Sequence, residues 1–145
     1  EVRMSIIKTL QDYLTGYDGM SMRPLSEILT DRPDEQPSSY ALAPTGNNKI
    51  TTDIIGNRTY QHSYVFYAKE AAADEVDRQE NYDFLEDFTD WLEEKNAAGE
   101  LPVLPGKYQA ESLEVSNAML MDLYEDGAGL YQVQIQFIFT KKRRK

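Results

Sequence analysis

The clearest pattern in this chain is the alternation of apolar and polar residues from Tyr131 to Phe139, YQVQIQFIF. A period of two is typical of a β-strand with one buried face. The apolar side consists of Tyr131, Val133, Ile135, Phe137 and Phe139, and the other side of Gln132, Gln134, Gln136 and Ile138. A face that meets only water usually carries Lys or Glu, whereas neutral amides lose water at lower cost than ions. The glutamine side is therefore a candidate assembly surface, with a plain solvated sheet face as the alternative.

Two segments have helical spacing instead. The first runs from about Val2 to Thr15, where the apolar residues fall within one arc and Gly16 supplies the stop. The second runs from about Asn81 to Ala97, just before Gly99. Its predicted buried stripe consists of Phe84, Leu85, Phe88, Trp91 and Leu92. The opposite side is acidic, with Asp83, Glu86, Asp87, Asp90, Glu93 and Glu94.

The remaining patterns predict short strands joined by turns. They lie at Tyr40 to Ala43, Lys49 to Ile55, Thr59 to Lys69, Gln109 to Val115 and Ala118 to Leu123, with a hairpin turn at Gly56. Met20 to Asp31 fits either a short helix or an extended edge segment. This order predicts an α+β fold, in which a mostly antiparallel sheet packs with two amphipathic helices. We expect one domain over residues 1–140, followed by a basic tail at 141–145.

Composition places the chain among ordinary globular domains. It has 145 residues, of which 41% are hydrophobic and 28% charged, a composition that permits a real core and argues against disorder. No apolar run approaches the roughly 18 residues that a membrane span needs. The absence of cysteine excludes disulfides and thiolate chemistry and suits an intracellular origin.

Charge is distributed unevenly along the chain. The formal net charge is -10, and ten acids between Asp74 and Glu94 face the single Arg78. The last five residues are all basic: Lys141, Lys142, Arg143, Arg144 and Lys145. An acidic helix and a basic tail in one chain would supply two surfaces of complementary charge. The alternative is that the acids provide solubility and the tail is frayed.

The sequence offers almost nothing for catalysis. His62 is the only histidine, and its place between Tyr60 and Tyr64 in a predicted strand favours a half-buried packing role. There is no nucleophile elbow, Gly-rich phosphate loop or two-histidine metal spacing. The segment DLYEDGAG at 122–129 does not match a calcium loop and predicts an ordinary hairpin turn. We therefore expect no catalytic, cofactor-binding or metal-binding residues, and no enzyme.

Four segments, taken in chain order, resemble a known family. They are YALAPTG at 40–46, TYQHSYVFYAKE at 59–70 and NYDFLEDFTDWLEEKNAAGELPVL at 81–104, and LYQVQIQFIF completes them. In this order they are similar to the minor capsid proteins of tailed phages and prophages, a family related to tail terminators. The resemblance covers nearly the whole chain.

The resemblance implies a structural virion protein at the head-tail junction, made in the host bacterial cytoplasm. Its relatives form a ring on the end of the tail tube, so the implied partners are further copies in a hexameric ring, the tail tube protein and a head-completion protein. We expect the candidate assembly surface to include Gln132, Gln134, Gln136, Asp83, Asp87, Asp90, Glu94 and the tail residues Lys141 to Lys145. The resemblance leaves open whether the tail lies near DNA, and it implies no membrane contact. The main alternative is a small nucleic-acid-binding or regulatory module that uses the basic tail, although the acidic remainder would repel phosphate.

Overall fold

The computed structural model of the chain describes residues 5–17, 28–33, 39–46 and 48–142. Two helices and six strands lie in these ranges. In chain order they are α1 (Ile6–Leu14), β1 (Leu29–Thr30), β2 (Ser39–Pro44), β3 (Lys49–Thr52), β4 (Arg58–Ala71), α2 (Glu75–Ala98), β5 (Tyr108–Leu123) and β6 (Ala128–Lys141).

The six strands form one sheet with the order β1-β2-β4-β6-β5, and β3 pairs with β4 beside this path. The long β4 and β6 make the central ladder, which runs from Arg58 opposite Lys141 to Ala71 opposite Ala128. Within the described residues only β1 and β2 pair in parallel. The predicted α+β fold with a mostly antiparallel sheet is therefore confirmed.

The alternation in β6 sets the two faces of the sheet. Its five predicted apolar side chains are at most 1% exposed, whereas the three glutamines are not buried. Strand β4 follows the same rule, with Tyr64, Phe66 and Ala68 buried on the inner face. Burying these side chains removes apolar surface from water, at about 25 cal/mol per Å². The inner face therefore forms the floor of the core.

Both described helices pack on this inner face. Phe88 of α2 lies 4.6 Å from Phe66 of the sheet, between ring centroids. Tyr17, just after α1, lies 5.2 Å from Phe88 and 5.5 Å from Trp91. Leu10 and Leu14 of α1 are fully buried in the same cluster. The domain thus has a helix layer and a sheet layer.

Helix α2 starts earlier than the pattern predicted. Asp74 is the N-cap, and its side chain accepts a hydrogen bond of 2.9 Å from the backbone N–H of Asp77. The first turns are polar apart from the exposed Val76, so apolar spacing alone did not reveal them. Gly99 ends the helix with φ 73°. Four of the five predicted stripe residues are buried, but Trp91 is only partly buried.

Helix α2 also protects the free edge of β5. The Asn96 side-chain oxygen accepts a 2.9 Å hydrogen bond from the backbone N–H of Leu113, and the Tyr82 hydroxyl accepts a 3.0 Å bond from that of Leu120. These bonds satisfy two donors that would otherwise be free on an edge strand. They fix the helix against one side of the sheet.

The structure changes the predicted bounds of every strand. The two strands expected at 109–115 and 118–123 are one strand, β5, which is irregular between Ser116 and Met119 where Asn117 has φ 53°. The strand expected to reach Ile55 ends at Thr52, because the Asp53 carboxylate accepts bonds from the backbone N–H groups of Ile55 and Asn57 and closes the turn. The others, near Tyr40 and after Thr59, extend by a few residues. Of the ambiguous segment 20–31, residues 20–27 lie outside the described residues, and 29–30 form β1.

Candidate assembly surfaces

The three glutamines of β6 lie in a row on the outer face of the sheet. Gln134 is exposed, and Gln132 and Gln136 are partly exposed. Gln134 lies between Val65 of β4 and Ser116 of β5. Its side-chain oxygen accepts a 2.7 Å hydrogen bond from the Asn117 side chain. The sequence correctly placed the glutamines on the face opposite the core.

The surroundings of this row are largely uncharged. Gln132 pairs with Tyr67 on one side and Met119 on the other, and Gln136 pairs with Ser63 and Glu114. A shallow depression of about 230 Å³ runs over Gln134 and Gln136 and is bordered by Thr45 and Ser63. Among the described residues, Glu114 is the one charge paired directly with a glutamine of this row. Covering this surface with another protein would therefore desolvate few ions.

The predicted acidic residues lie on the helix layer, away from the glutamines. Asp83, Asp87, Asp90 and Glu94 are all exposed on α2. Asp87 accepts a 2.6 Å hydrogen bond from the Tyr17 hydroxyl, so it also ties α1 to α2. None of the four makes a salt bridge with another described residue. The structure therefore separates the glutamine row and the acidic residues onto opposite layers of the domain.

The basic residues at the C-terminus begin inside the sheet. Lys141 is the last residue of β6 and pairs with Arg58 and Tyr108. Its ammonium group lies 5.3 Å from the centroid of the Tyr108 ring, a cation–π distance. Lys142 is exposed. Arg143, Arg144 and Lys145 lie outside the described residues. The two described basic residues of the C-terminus, Lys141 and Lys142, lie at one end of the sheet.

Sequence reasoning missed two surface features, an apolar turn and a groove with a mixed polar and apolar lining. One is the tip of the β3–β4 hairpin, residues 53–57, where Ile54 is fully exposed and Ile55 is 58% exposed. The other is a groove of about 490 Å³ at the opposite end of the sheet, which we call the sheet-end groove. It is lined by Asp31, Arg32, Pro33, Tyr67, Lys69, Met121, Tyr124 and Leu130. Two adjacent isoleucines in the turn DIIGN were the available signal for the tip, but the groove joins segments too far apart in sequence to predict.

His62 has the packing role that its position predicted. Its ring is partly buried and lies 4.9 Å from that of Phe139, with Nδ1 3.3 Å from the Tyr64 hydroxyl. Burial lowers the pKa of His62 below its ordinary 6.5 and raises the pKa of Tyr64 to about 12. Both groups are therefore uncharged at neutral pH. No carboxylate is among the described partners of this imidazole.

The lowered pKa of His62 predicts a pH-dependent stability. The unfolded chain takes up a proton at this imidazole below about pH 6.5, whereas the folded chain resists it. The free energy of unfolding should therefore decrease as the pH falls through that value. Melting temperatures at pH about 7.5 and about 5.5 should differ less for His62→Gln than for the parent. An equal difference in both proteins would contradict this assignment, since acids elsewhere affect both alike.

The described residues contain no cluster of His, Asp or Glu arranged to hold a metal ion. The DLYEDGAG segment forms the predicted hairpin turn: Tyr124 and Ala128 pair through a 2.8 Å backbone bond, and Gly127 has φ 90°. None of the described helices is long and apolar enough to cross a membrane.

Comparison with known proteins identifies the family. A search of curated proteins gave no match. The sequence model of the bacteriophage tail terminator proteins, in contrast, matches residues 13–141. This match extends from the end of α1 to the last residue of β6, so it includes the whole sheet, α2 and the glutamine row. The family is structural and belongs to the phage virion. The chain belongs to the bacteriophage tail terminator protein family.

Proposed function

We propose that this protein closes the end of a phage tail as a ring at the head-tail junction. The family match supports a structural role in the tail. The observation that supports the ring is the largely uncharged middle of the outer sheet face, with the row Gln132, Gln134 and Gln136. The helix layer packs on the opposite face, and the three glutamines remain exposed or partly exposed.

The chemistry of this face suits contact with protein better than contact with water alone. A glutamine side chain offers both donors and an acceptor, so it can pair across an interface without an ion of opposite charge. Burying a carboxylate or ammonium instead would cost several kcal/mol unless it were paired well. The neighbouring Tyr67 and Met119 add apolar area to the same surface. Such a mixture is typical of protein interfaces.

The ring follows from the need for two unlike surfaces on each subunit. A subunit that contacts its neighbour through different patches on its two sides generates a closed ring when the rotation closes. We propose six copies, as the resemblance implies, with the tail tube protein on one side of the ring and a head-completion protein on the other. The acidic residues of α2 and the basic C-terminus would then lie on opposite sides of a subunit contact or on opposite faces of the ring. Whether the C-terminus also lies near DNA depends on which face points to the capsid.

The location can be tested directly on particles. Antibodies raised against this protein, coupled to gold, should label the junction between head and tail in electron micrographs of the virion that encodes it. Isolated tails should carry the label at one end only. Label along the tube, over the capsid surface or absent from particles would contradict the proposed location.

Removing the basic C-terminus should change how assembly depends on salt. Lys141 belongs to β6, so the clean deletion removes residues 142–145 and leaves the pairing with Arg58 intact. If these residues pair with acids of a neighbour, parental assembly should weaken as salt rises, because charges are screened over about 8 Å at physiological ionic strength. The deletion variant should show a flatter dependence in light scattering. Identical salt profiles for the two proteins would exclude a role for the tail in subunit contacts.

A further inference from the structure

The two ends of the sheet carry opposite charge. The register places Arg58 beside Lys141, while Lys107 and Lys142 adjoin the same end. At the other end, the β5–β6 turn and the start of α2 bring together Asp122, Glu125, Asp126, Asp74, Glu75 and Asp77. We call these the basic end and the acidic end.

Arg32, an exposed base in the lining of the groove, is one exception at the acidic end, and the acids there outnumber it. The other exceptions have partners within the domain. Asp53 at the basic end is occupied by the backbone of the hairpin turn, and Glu111 accepts a 3.1 Å bond from the Thr140 hydroxyl. At the acidic end, Arg78 donates to the Ala72 carbonyl, and the Lys69 ammonium lies 5.0 Å from the Tyr124 ring. The polarity of the sheet therefore remains.

The hairpin tip extends from the basic end as an apolar projection. All four residues of β3 are exposed, and among the described strands β3 pairs only with β4. Ile54 is 103% exposed, so none of the described residues covers it. Turns normally carry polar residues, and two exposed isoleucines bury little apolar surface and so add little to the stability of the isolated subunit. Asp53 holds the turn through two backbone bonds, so Ile54 and Ile55 sit on a fixed backbone.

The sheet-end groove is the matching feature at the acidic end. It lies on the outer face, where Leu130 pairs with Lys69 and Asp122. Met121 is 54% exposed and Tyr124 38% exposed, and Met119, opposite Gln132 on the same face, extends the apolar surface beside them. Methionine adapts its shape to an inserted side chain. Asp122, Glu125 and Asp126 make the neighbouring surface negative.

From this match we propose that the hairpin tip of one subunit inserts into the sheet-end groove of the next subunit. The proposal rests on the proposed ring and names its subunit contact. Tip and groove lie at opposite ends of a strand of 14 residues, roughly 45 Å apart, so a subunit cannot fill its own groove. The apolar tip would meet the apolar part of the groove, which consists of Met121, Tyr124 and Leu130. The bases around the tip would meet the acids of the β5–β6 turn. Because the two patches are different, the contact is head to tail, as a closed ring requires.

A further structural observation favours a second copy of the chain as the occupant of the groove. The groove is continuous with the glutamine row, since Gln132 pairs with both Tyr67 and Met119. A neighbour seated in the groove would therefore also lie over the proposed assembly face. One docking event then covers the exposed apolar residues and the neutral amides together.

The absence of cysteine allows a direct crosslinking test. Ile54→Cys and Met121→Cys each replace an exposed side chain, so both variants should fold. The two purified variants are mixed under conditions in which the parent assembles and are treated with a short bismaleimide. We expect a covalent dimer in the mixture and little in either variant alone, because the contact is heterologous. The matched control replaces Met121→Cys with Val103→Cys, a thiol at a residue 88% exposed in the loop before β5; that mixture should give no dimer.

The outcomes separate this contact from the ring itself. Rings seen by electron microscopy without a 54–121 crosslink would overturn the hairpin contact and leave the proposed function standing. Equal crosslinking of Ile54→Cys with itself would indicate a symmetric contact and would also overturn it. If no assembly forms at any concentration or on tail tube ends, the proposed function and this contact both fail. As a second measurement, Ile54→Asp should raise the concentration needed for assembly about tenfold or more, because an exposed isoleucine that becomes buried is replaced by an ion.

Discussion

Phe88→Ala should lower the free energy of unfolding by about 3 to 5 kcal/mol. Phe88 is 0% exposed, and its ring lies 4.6 Å from Phe66 of the sheet and 5.2 Å from Tyr17 after α1. Removing it opens a cavity where the helix layer meets the sheet layer, and neither layer can collapse without losing other contacts. The loss is a large part of the 5 to 15 kcal/mol typical of a domain. Denaturant unfolding of the purified variant measures it.

Two further variants test the position of the core. Phe88→Leu keeps most of the volume and should cost about 1 to 1.5 kcal/mol. Trp91→Ala should cost about 2 to 3 kcal/mol, less than full burial would give, because Trp91 is only partly buried and contacts Tyr13 and Tyr17 at 5.8 and 5.5 Å. A larger decrease in the free energy of unfolding for Trp91→Ala than for Phe88→Ala would show that the core is not centred on the contact between Phe88 and the sheet.

Gln134→Glu should prevent ring formation at concentrations where the parent assembles. Its neighbours in the subunit are the uncharged Val65 and Ser116, and the Asn117 side chain can donate to a carboxylate as it does to the amide. The isolated subunit should therefore fold normally. In the ring, however, each interface would bury an additional carboxylate without a counterion, which costs several kcal/mol. Light scattering and imaging measure assembly, and a thermal melt checks the fold.

The choice of position matters for this test. Gln136 pairs directly with Glu114, so Gln136→Glu would place like charges side by side within one subunit and confuse stability with assembly. Val103→Glu supplies the control, because it adds the same charge at a residue that is 88% exposed in the loop before β5 and lies away from the glutamine row. That control should assemble as the parent does. Normal assembly of Gln134→Glu would show that the glutamine row is merely solvated.

The parts of the fold that a single periodic pattern governs were predictable from sequence. The alternation of β6 fixed the side chain of Gln134 on the face away from the core, because in a strand with one buried face every second residue points inward. The spacing of Phe84, Phe88 and Leu92 likewise fixed the buried side of α2. The first turns of α2 were missed because polar residues carry no such spacing, although Asp74 was a readable N-cap. The irregularity at Asn117 made one strand look like two.

The candidate surfaces were predictable only in part, for a related reason. The glutamine row and the acidic side of α2 each lie on one element, so their orientation follows from that element's period. The sheet-end groove combines β4, the β5–β6 hairpin and residues 31–33, and the polarity of the sheet depends on which strand ends meet. Sequence distance hides both features until the register is known. The partial burial of Trp91 also depends on where α1 lies, which the sequence does not specify.

The central claim is that this tail terminator protein acts as a closed ring, and native mass spectrometry tests it most directly. The purified protein, concentrated or bound to tail tube ends and then released, should give one dominant species of six chains of 16.7 kDa, about 100 kDa in total. Electron micrographs of the same sample should show rings with a central opening. A monomer at every concentration, with or without tube ends, or an open ladder of sizes without a preferred closure, would contradict the account.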